Sequence, residues 1–251
     1  MFRRLLAVTC LFAIGCFTVT VEATATEVVA VDGGDIAGTF ENDVHVFRGI
    51  PFAAPPVGEL RWRPPQTVVA WQGVRDCNEF GPACPQEPYP AASLYAREPE
   101  PMSEDCLYLN VWTSDLDDGA KRPVMVWIHG GALTRGSGSR PTYDGTALAQ
   151  KGVVLVTINY RLNVFGYFAH PELIAESSHN ASGNYGVLDQ IAALAWVKRN
   201  IAAFGGDPDR VTIFGESAGS WSVNCLMATP LAADTFQRAI GQSGAAFGPG
   251  Y

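Results

Sequence analysis

The chain has 251 residues, 47% of them hydrophobic, with 26 glycines and 17 prolines, which is enough apolar material for a sizeable core and enough turn formers for a globular fold instead of a disordered one. A net charge of −8 and the lack of any basic stripe exclude a nucleic-acid binder, because nothing is present to neutralise phosphates.

The first predicted element is a targeting segment. Arg3 and Arg4 precede an apolar run from Leu5 to Val19, followed by the small-residue site Ala23-Thr24-Ala25; residues 1–25 read as a secretory signal cleaved after Ala25. The run, roughly 15 residues interrupted by threonines, falls short of the ~20 that a membrane span needs, so no stable membrane insertion is expected. Cys16, after Ala13-Ile14-Gly15, matches a lipoprotein cleavage box poorly, and lipid anchoring there is not expected. The protein is expected to be secreted or periplasmic. Cys10 and Cys16 leave with the signal, and Cys77, Cys84, Cys106 and Cys225 remain in an oxidising compartment where at least one disulfide is expected. Spacing leaves the pairing open. With no CxxC and no histidine-rich cluster, neither metal nor cofactor is expected.

Residues 26–251 carry no internal repeat, low-complexity tract or linker, and read as one domain or part of one. "EVVAVDGGDIAGTF" and "VHVFRGIPF" predict short antiparallel strands, broken by Gly33-Gly34 and by Pro51. A proline-rich loop region follows. The nearly continuous apolar runs Pro123–Ile128, Val153–Tyr160 and Val211–Phe214 predict strands buried on both faces of a mostly parallel sheet. Between them, Leu188, Ile191, Leu194, Val197 and Ile201 recur at three to four residues, with Asp189, Lys198 and Arg199 placed elsewhere and Gly205-Gly206 at the stop; this predicts a helix. The alternation is that of an α/β protein.

Gly215-Glu216-Ser217-Ala218-Gly219 is a G-x-S-x-G set after a predicted strand and before the helix-compatible "AGSWSVNCLMA". A serine on so sharp a turn needs flanks nearly free of side chains. Its hydroxyl is a weak nucleophile, and attack on a carbonyl creates an oxyanion that needs fixed donors. The N–H of Ala218 is one candidate. Others are offered by Gly130, Gly131 and Ala132 in "VWIHGGALTRG", again directly after a strand.

"FRGIPFAAPPVGELRWRPPQ", "SEDCLYLNVW", "VWIHGGA", "VTINYRLNVFGY", "GNYGVLDQIAALAWVKRNIAAFGGDPDRVTIFGESAGS" and "QSG" resemble the type B carboxylesterases, the cholinesterase-like branch of the α/β-hydrolases. The likeness runs from about Glu27 to Tyr251. It implies an α/β-hydrolase fold with antiparallel N-terminal strands and a mostly parallel central sheet, incomplete at the C-terminal side. It implies Ser217 as nucleophile, with oxyanion N–H groups from Gly131, Ala132 and Ala218, and Glu216 and Ser243 holding water near the nucleophile. Ala132 stands where many relatives have a third glycine; alanine keeps the N–H and its methyl narrows the pocket. The resemblance also implies a disulfide between Cys84 and Cys106, with Cys77 and Cys225 outside that pairing, and buried ion pairs Arg61–Glu104 and Arg161–Asp189.

The expected substrate is a small-molecule carboxylic ester. Choline is not expected, because residues 85–105 contain no tryptophan, Tyr95 being the aromatic closest to the place where choline readers carry one. After Ser217 the chain has one acid, Asp234, and no histidine; His45, His129, His170 and His179 all precede it. α/β-Hydrolases place the triad acid and histidine downstream of the serine, so the chain reads as the N-terminal half of an esterase, inactive by itself. The alternative is a non-catalytic cholinesterase-like binding module or an inactive truncated product.

Overall fold

Hydrophobic alternation sets the N-terminal hairpins, and continuous apolar runs set the buried strands behind them. The computed structural model describes residues 24–25, 27–89, 92–93, 96 and 100–244. The signal segment up to residue 23, with Cys16, and also Tyr95 lie outside the described residues. β1 (Thr24–Ala25), β2 (Val29–Val31), β3 (Gly34–Ala37), β4 (Thr39–Glu41) and β5 (Val44–Pro51) open the chain, and β6 (Val74–Asp76) and β7 (Tyr108–Thr113) follow the proline-rich region. β8 (Arg122–Ile128), α1 (Thr146–Ala149), β9 (Val154–Ile158), α2 (Asn163–Tyr167), α3 (Pro171–Glu176), α4 (Tyr185–Asn200), β10 (Gly206–Glu216), α5 (Ala218–Ala228) and β11 (Arg238–Gln242) complete it.

Eight strands form one sheet in the order β1-β4-β5-β7-β9-β8-β10-β11, and β2-β3-β6 form a second. Pairing in the large sheet is antiparallel from β1 to β9 and parallel from β9 through β8 and β10 to β11. This is the expected α/β-hydrolase order of antiparallel strands first and parallel strands after. All five residues of β9 are buried, as a strand covered on both faces requires. The larger core lies between the sheet and the helices α4 and α5, which contribute Leu194, Trp196, Val197, Val223 and Leu226; a smaller one gathers Val44, Val46, Trp112, Ala149 and Leu155.

α4 ends where expected. A short 3-10 turn over Ile201–Phe204 is closed by Gly205, whose φ of 73° admits the left-handed conformation a C-cap needs. Of the predicted apolar face, Leu194, Val197 and Ile201 are fully buried. Leu188 and Ile191 are only half-buried, whereas Asp189 is fully buried. Its carboxylate accepts from Arg161 Nε at 2.8 Å, Nη2 at 2.7 Å and the backbone N–H at 3.0 Å. Two chain segments thus share one buried, hydrogen-bonded charge pair, and removing either partner would strand the other at a cost of about 3–5 kcal/mol. The second ion pair expected to be buried is formed but is not buried. Arg61 Nε and Nη2 reach Glu104 at 2.5 and 2.6 Å, with side chains 41% and 25% exposed. Water screens that pair, so it adds little to stability.

Register places the site. Gly215 of β10 pairs with Ile128 of β8, so the turns that follow these strands leave the sheet side by side at one end.

Candidate active site

β10 ends at Glu216 and α5 begins at Ala218, which leaves one residue to make the turn. Ser217 makes it with φ 54° and ψ −121°, a conformation that costs a residue with a β-carbon about 1–3 kcal/mol. The turn is fixed on both sides: the Ser217 N–H donates to the Gln242 carbonyl on β11 at 2.8 Å, and its own carbonyl accepts from the Trp221 N–H at 3.0 Å. The flanking glycines supply room. A β-carbon on Gly215 would lie 2.6 Å from the Gly219 backbone, and one on Gly219 would lie 2.0 Å from the Ile128 carbonyl oxygen. The Ala218 N–H sits in the first turn of α5, where amide groups have no acceptor within the helix.

The loop after β8 meets this turn directly. A β-carbon on Gly130 would come within 3.1 Å of Ser217 Cβ and of the Glu216 carboxylate, and 2.5 Å from the Glu216 carbonyl oxygen. From there the backbone runs through positive φ at Gly131 (112°), Ala132 (55°), Leu133 (59°) and Gly136 (116°). The Gly131 carbonyl accepts from the Thr134 and Arg135 N–H groups at 3.1 Å each and from Thr134 Oγ1 at 3.2 Å. The N–H groups of Gly131 and Ala132 have no acceptor among the described residues. Ser243, exposed and at φ 55°, follows the Gln242 carbonyl that holds the Ser217 amide.

The carboxylesterase family model matches residues 25–251. The chain belongs to the carboxylesterase family. It is 53% identical over 204 residues to the fumonisin B1 esterase of Sphingopyxis macrogoltabida, covering 81% of this chain and 37% of that protein. To the para-nitrobenzyl esterase of Bacillus subtilis (strain 168) it is 50% identical over 220 residues, covering 87% and 44%. Among solved structures, a carboxylesterase of Geobacillus stearothermophilus superposes with a TM-score of 0.78 at 51% identity, covering 87% of this chain and 44% of that one. The chain therefore spans less than half the length of the relatives it matches.

All residues singled out in this carboxylesterase-family chain for the nucleophile and the oxyanion donors lie at the junction of the two turns. The histidines do not. His129 is 1% exposed, stacks on Tyr160 with ring centroids 4.4 Å apart, and sets Nδ1 2.8 Å from the Gly130 carbonyl. Burial pushes its imidazole down to about 4, so it is neutral and works as a packing element. His45 lies on β5, His170 caps α3 by accepting from the Glu172 N–H at 3.3 Å, and His179 is exposed in a turn. No described histidine hydrogen-bonds Ser217.

Cys84 and Cys106 are buried neighbours, and the thiol contact with Cys84 together with burial pushes the Cys106 thiol up. Cys84 Sγ also accepts from the Leu162 N–H at 3.3 Å. The expected disulfide is not formed in this structure, where both stand as thiols. Burial likewise pushes the Cys77 thiol up to about 12, while Cys225 is half-buried on α5. A cavity of about 370 Å³ lined by Leu226, Met227, Pro230 and Phe236 opens at the far end of α5 and shares no residue with the serine turn. The sequence reading missed one group of residues: Gln86, Glu100 and Asn159, which bond Gly136, Ser137 and Gly138 from positions 21 to 50 residues away in sequence. No local pattern announces contacts of that separation.

Proposed function

We propose that the chain carries the nucleophile and oxyanion donors of a serine carboxylic ester hydrolase. In this reading Ser217 Oγ attacks the carbonyl of a small-molecule ester, and the Gly131, Ala132 and Ala218 N–H groups receive the oxyanion. Collapse of the tetrahedral intermediate breaks the ester C–O bond and releases the alcohol, which takes the serine proton. Water then cleaves the acyl-enzyme to the acid. Glu216 and Ser243 flank the turn where they can hold that water. The observation that carries the reading is the positive φ of Ser217 at a strand-to-helix junction, in a chain that matches the carboxylesterase family. A non-catalytic cholinesterase-like binding module would have no use for this strain.

The proton transfer needs a base, and losing one costs several orders of magnitude even with the oxyanion donors in place. Residues 1–251 alone are expected to leave p-nitrophenyl acetate unhydrolysed at enzymatic rates. The reading places the triad acid and histidine on the part of the family's length that this chain does not match. It also places the protein outside the cytoplasm after cleavage at Ala25, with Cys84 and Cys106 oxidised to a disulfide. Their contact in the core supports that pairing, and closing the loop of about 20 residues stabilises by roughly 3 kcal/mol. Non-reducing peptide mapping of the exported protein is expected to join these two, and finding Cys77 bonded to Cys84 would overturn the pairing.

The deciding experiment is fluorophosphonate labelling of the full-length protein followed by peptide mapping. The label is expected on Ser217 and is lost in Ser217→Ala. Label on any other serine overturns the proposal.

A further inference from the structure

We infer that Gln86 is a positioning residue for the loop Gly130–Gly136, and that through it the segment beginning at Cys84 sets the shape of that loop. The inference rests on the reading of Gly131 and Ala132 as oxyanion donors. It starts from a pattern of hydrogen bonds that leaves the Gln86 amide no freedom. The Gly136 N–H donates to Gln86 Oε1 at 2.6 Å, and Gln86 Nε2 donates to the Gly136 carbonyl at 2.9 Å and to the Cys84 carbonyl at 3.0 Å. One side chain therefore satisfies both backbone groups of a single residue, and the two donor contacts fix which end of the amide is oxygen.

Gly136 needs such a partner. It sits at φ 116°, and a β-carbon there would lie 2.4 Å from His129 Nδ1, so it lies packed against the imidazole in a conformation open to glycine alone. The loop it closes holds Ala132 and Leu133 in the left-handed region, which costs each about 1–2 kcal/mol. A loop so loaded relaxes unless something outside it over-determines its shape. Part of the restraint comes from the chain just after Cys84. While Gln86 holds Gly136, the Leu133 carbonyl accepts from the Asn163 N–H at 2.8 Å, and Asn163 Nδ2 donates to the Pro85 carbonyl at 2.7 Å. Gln86 thus holds the loop directly, and Pro85 holds it through Asn163. Further along, the Arg135 guanidinium lies over the Tyr89 ring, 5.0 Å from its centroid, and Ser137 Oγ donates to the Glu100 carboxylate at 2.8 and 2.9 Å. Pro85, Gln86, Tyr89 and Glu100 therefore form a wall beside the oxyanion loop and the residues that follow it.

Loss of the amide leaves the Gly136 N–H and carbonyl unpaired and lets the Gly131 and Ala132 N–H groups drift from Ser217. Such donors act on charge that develops only in the transition state. In the full-length protein, Gln86→Ala is expected to lower kcat about tenfold or more with KM within about twofold. It is also expected to weaken a trifluoromethyl ketone, whose hemiketal oxyanion on Ser217 mimics the intermediate, by the same factor. Hydrogen exchange across 130–138 should quicken. Gln86→Met removes both hydrogen bonds to Gly136 at nearly constant volume, should show the same loss, and provides a folded variant if the alanine change does not fold. Unchanged exchange at 130–138 in a folded variant overturns the inference while leaving Ser217 labelling intact. Quickened exchange with unchanged kcat and ketone affinity also overturns it, and the oxyanion role of Gly131 and Ala132 falls with it. Absence of Ser217 labelling in the parent protein removes the functional reading itself.

Discussion

Ile128 and Gly215 sit side by side across the β8–β10 pairing, so the two turns that follow them begin from one place and face one another. Each depends on glycines, and each uses them differently. At the serine turn neither Gly215 nor Gly219 has a positive φ; both are needed because backbone approaches to 2.0–2.6 Å of where a side chain would start, and the strain is left on Ser217. In the loop after β8 the glycines take the strain themselves, at φ 112° and 116°, together with Ala132 and Leu133. One turn is held rigid by close contact with regular structure. The other is held by side chains reaching in from elsewhere in the chain. A strained nucleophile and a strained donor loop thus rest on different supports, and each can be disturbed without the other.

Ser217→Ala in the full-length protein is expected to lower turnover by about four to six orders of magnitude with the melting temperature preserved; retained activity would place the nucleophile elsewhere. Crowding at the same turn is tested by Gly219→Ala, whose added carbon would meet the Ile128 carbonyl at 2.0 Å. A loss of about 3 kcal/mol or more is expected from denaturant titration, and wild-type stability would mean that α5 can move off β8. His129, at the start of the other loop, supplies a pH signature that the serine turn lacks. Its folded pKa is depressed to about 4 from 6.5, so the neutral ring contributes stability that is complete above 6.5 and is lost as pH falls through about 4. The contribution is on the order of 3 kcal/mol. Urea titrations from pH 7.5 down to 4 would show it, and a flat profile would refute the burial of a neutral ring. The smallest effect belongs to Ala132→Gly, which relieves a positive φ of 55° and should raise stability by about 1 kcal/mol while keeping the N–H. No gain in midpoint would mean that the methyl contributes packing that offsets the strain.

Much of the fold was legible because its signals are local. The apolar runs of β8 and β9 needed only burial on both faces, and Gly205 announced the end of α4. The serine turn was legible for the same reason, since Gly215, Ser217 and Gly219 must be adjacent in sequence for the turn to exist. Where distant partners decide, the local pattern failed. The helical period alone set Asp189 apart from the apolar face; the family resemblance supplied Arg161, 28 residues earlier, as the partner that makes its burial tolerable. Arg61 and Glu104 find one another as expected, yet nothing in either segment says that water covers the pair. α2 and α3, with five and six residues, are too short for a helical period to register.

The bond from the Ser217 amide to the Gln242 carbonyl bears on when the turn can form during synthesis. The acceptor lies about 25 residues further along the chain, which at roughly 5–20 residues per second means a wait of about one to five seconds after the serine has been made. Through that interval the residue has no β11 to hold its amide, and its positive φ is restrained only from the α5 and β8 side. The nascent chain therefore passes through a stage in which the first ten strands can pair while the serine turn is still slack, and it is the arrival of Gln242 that locks it.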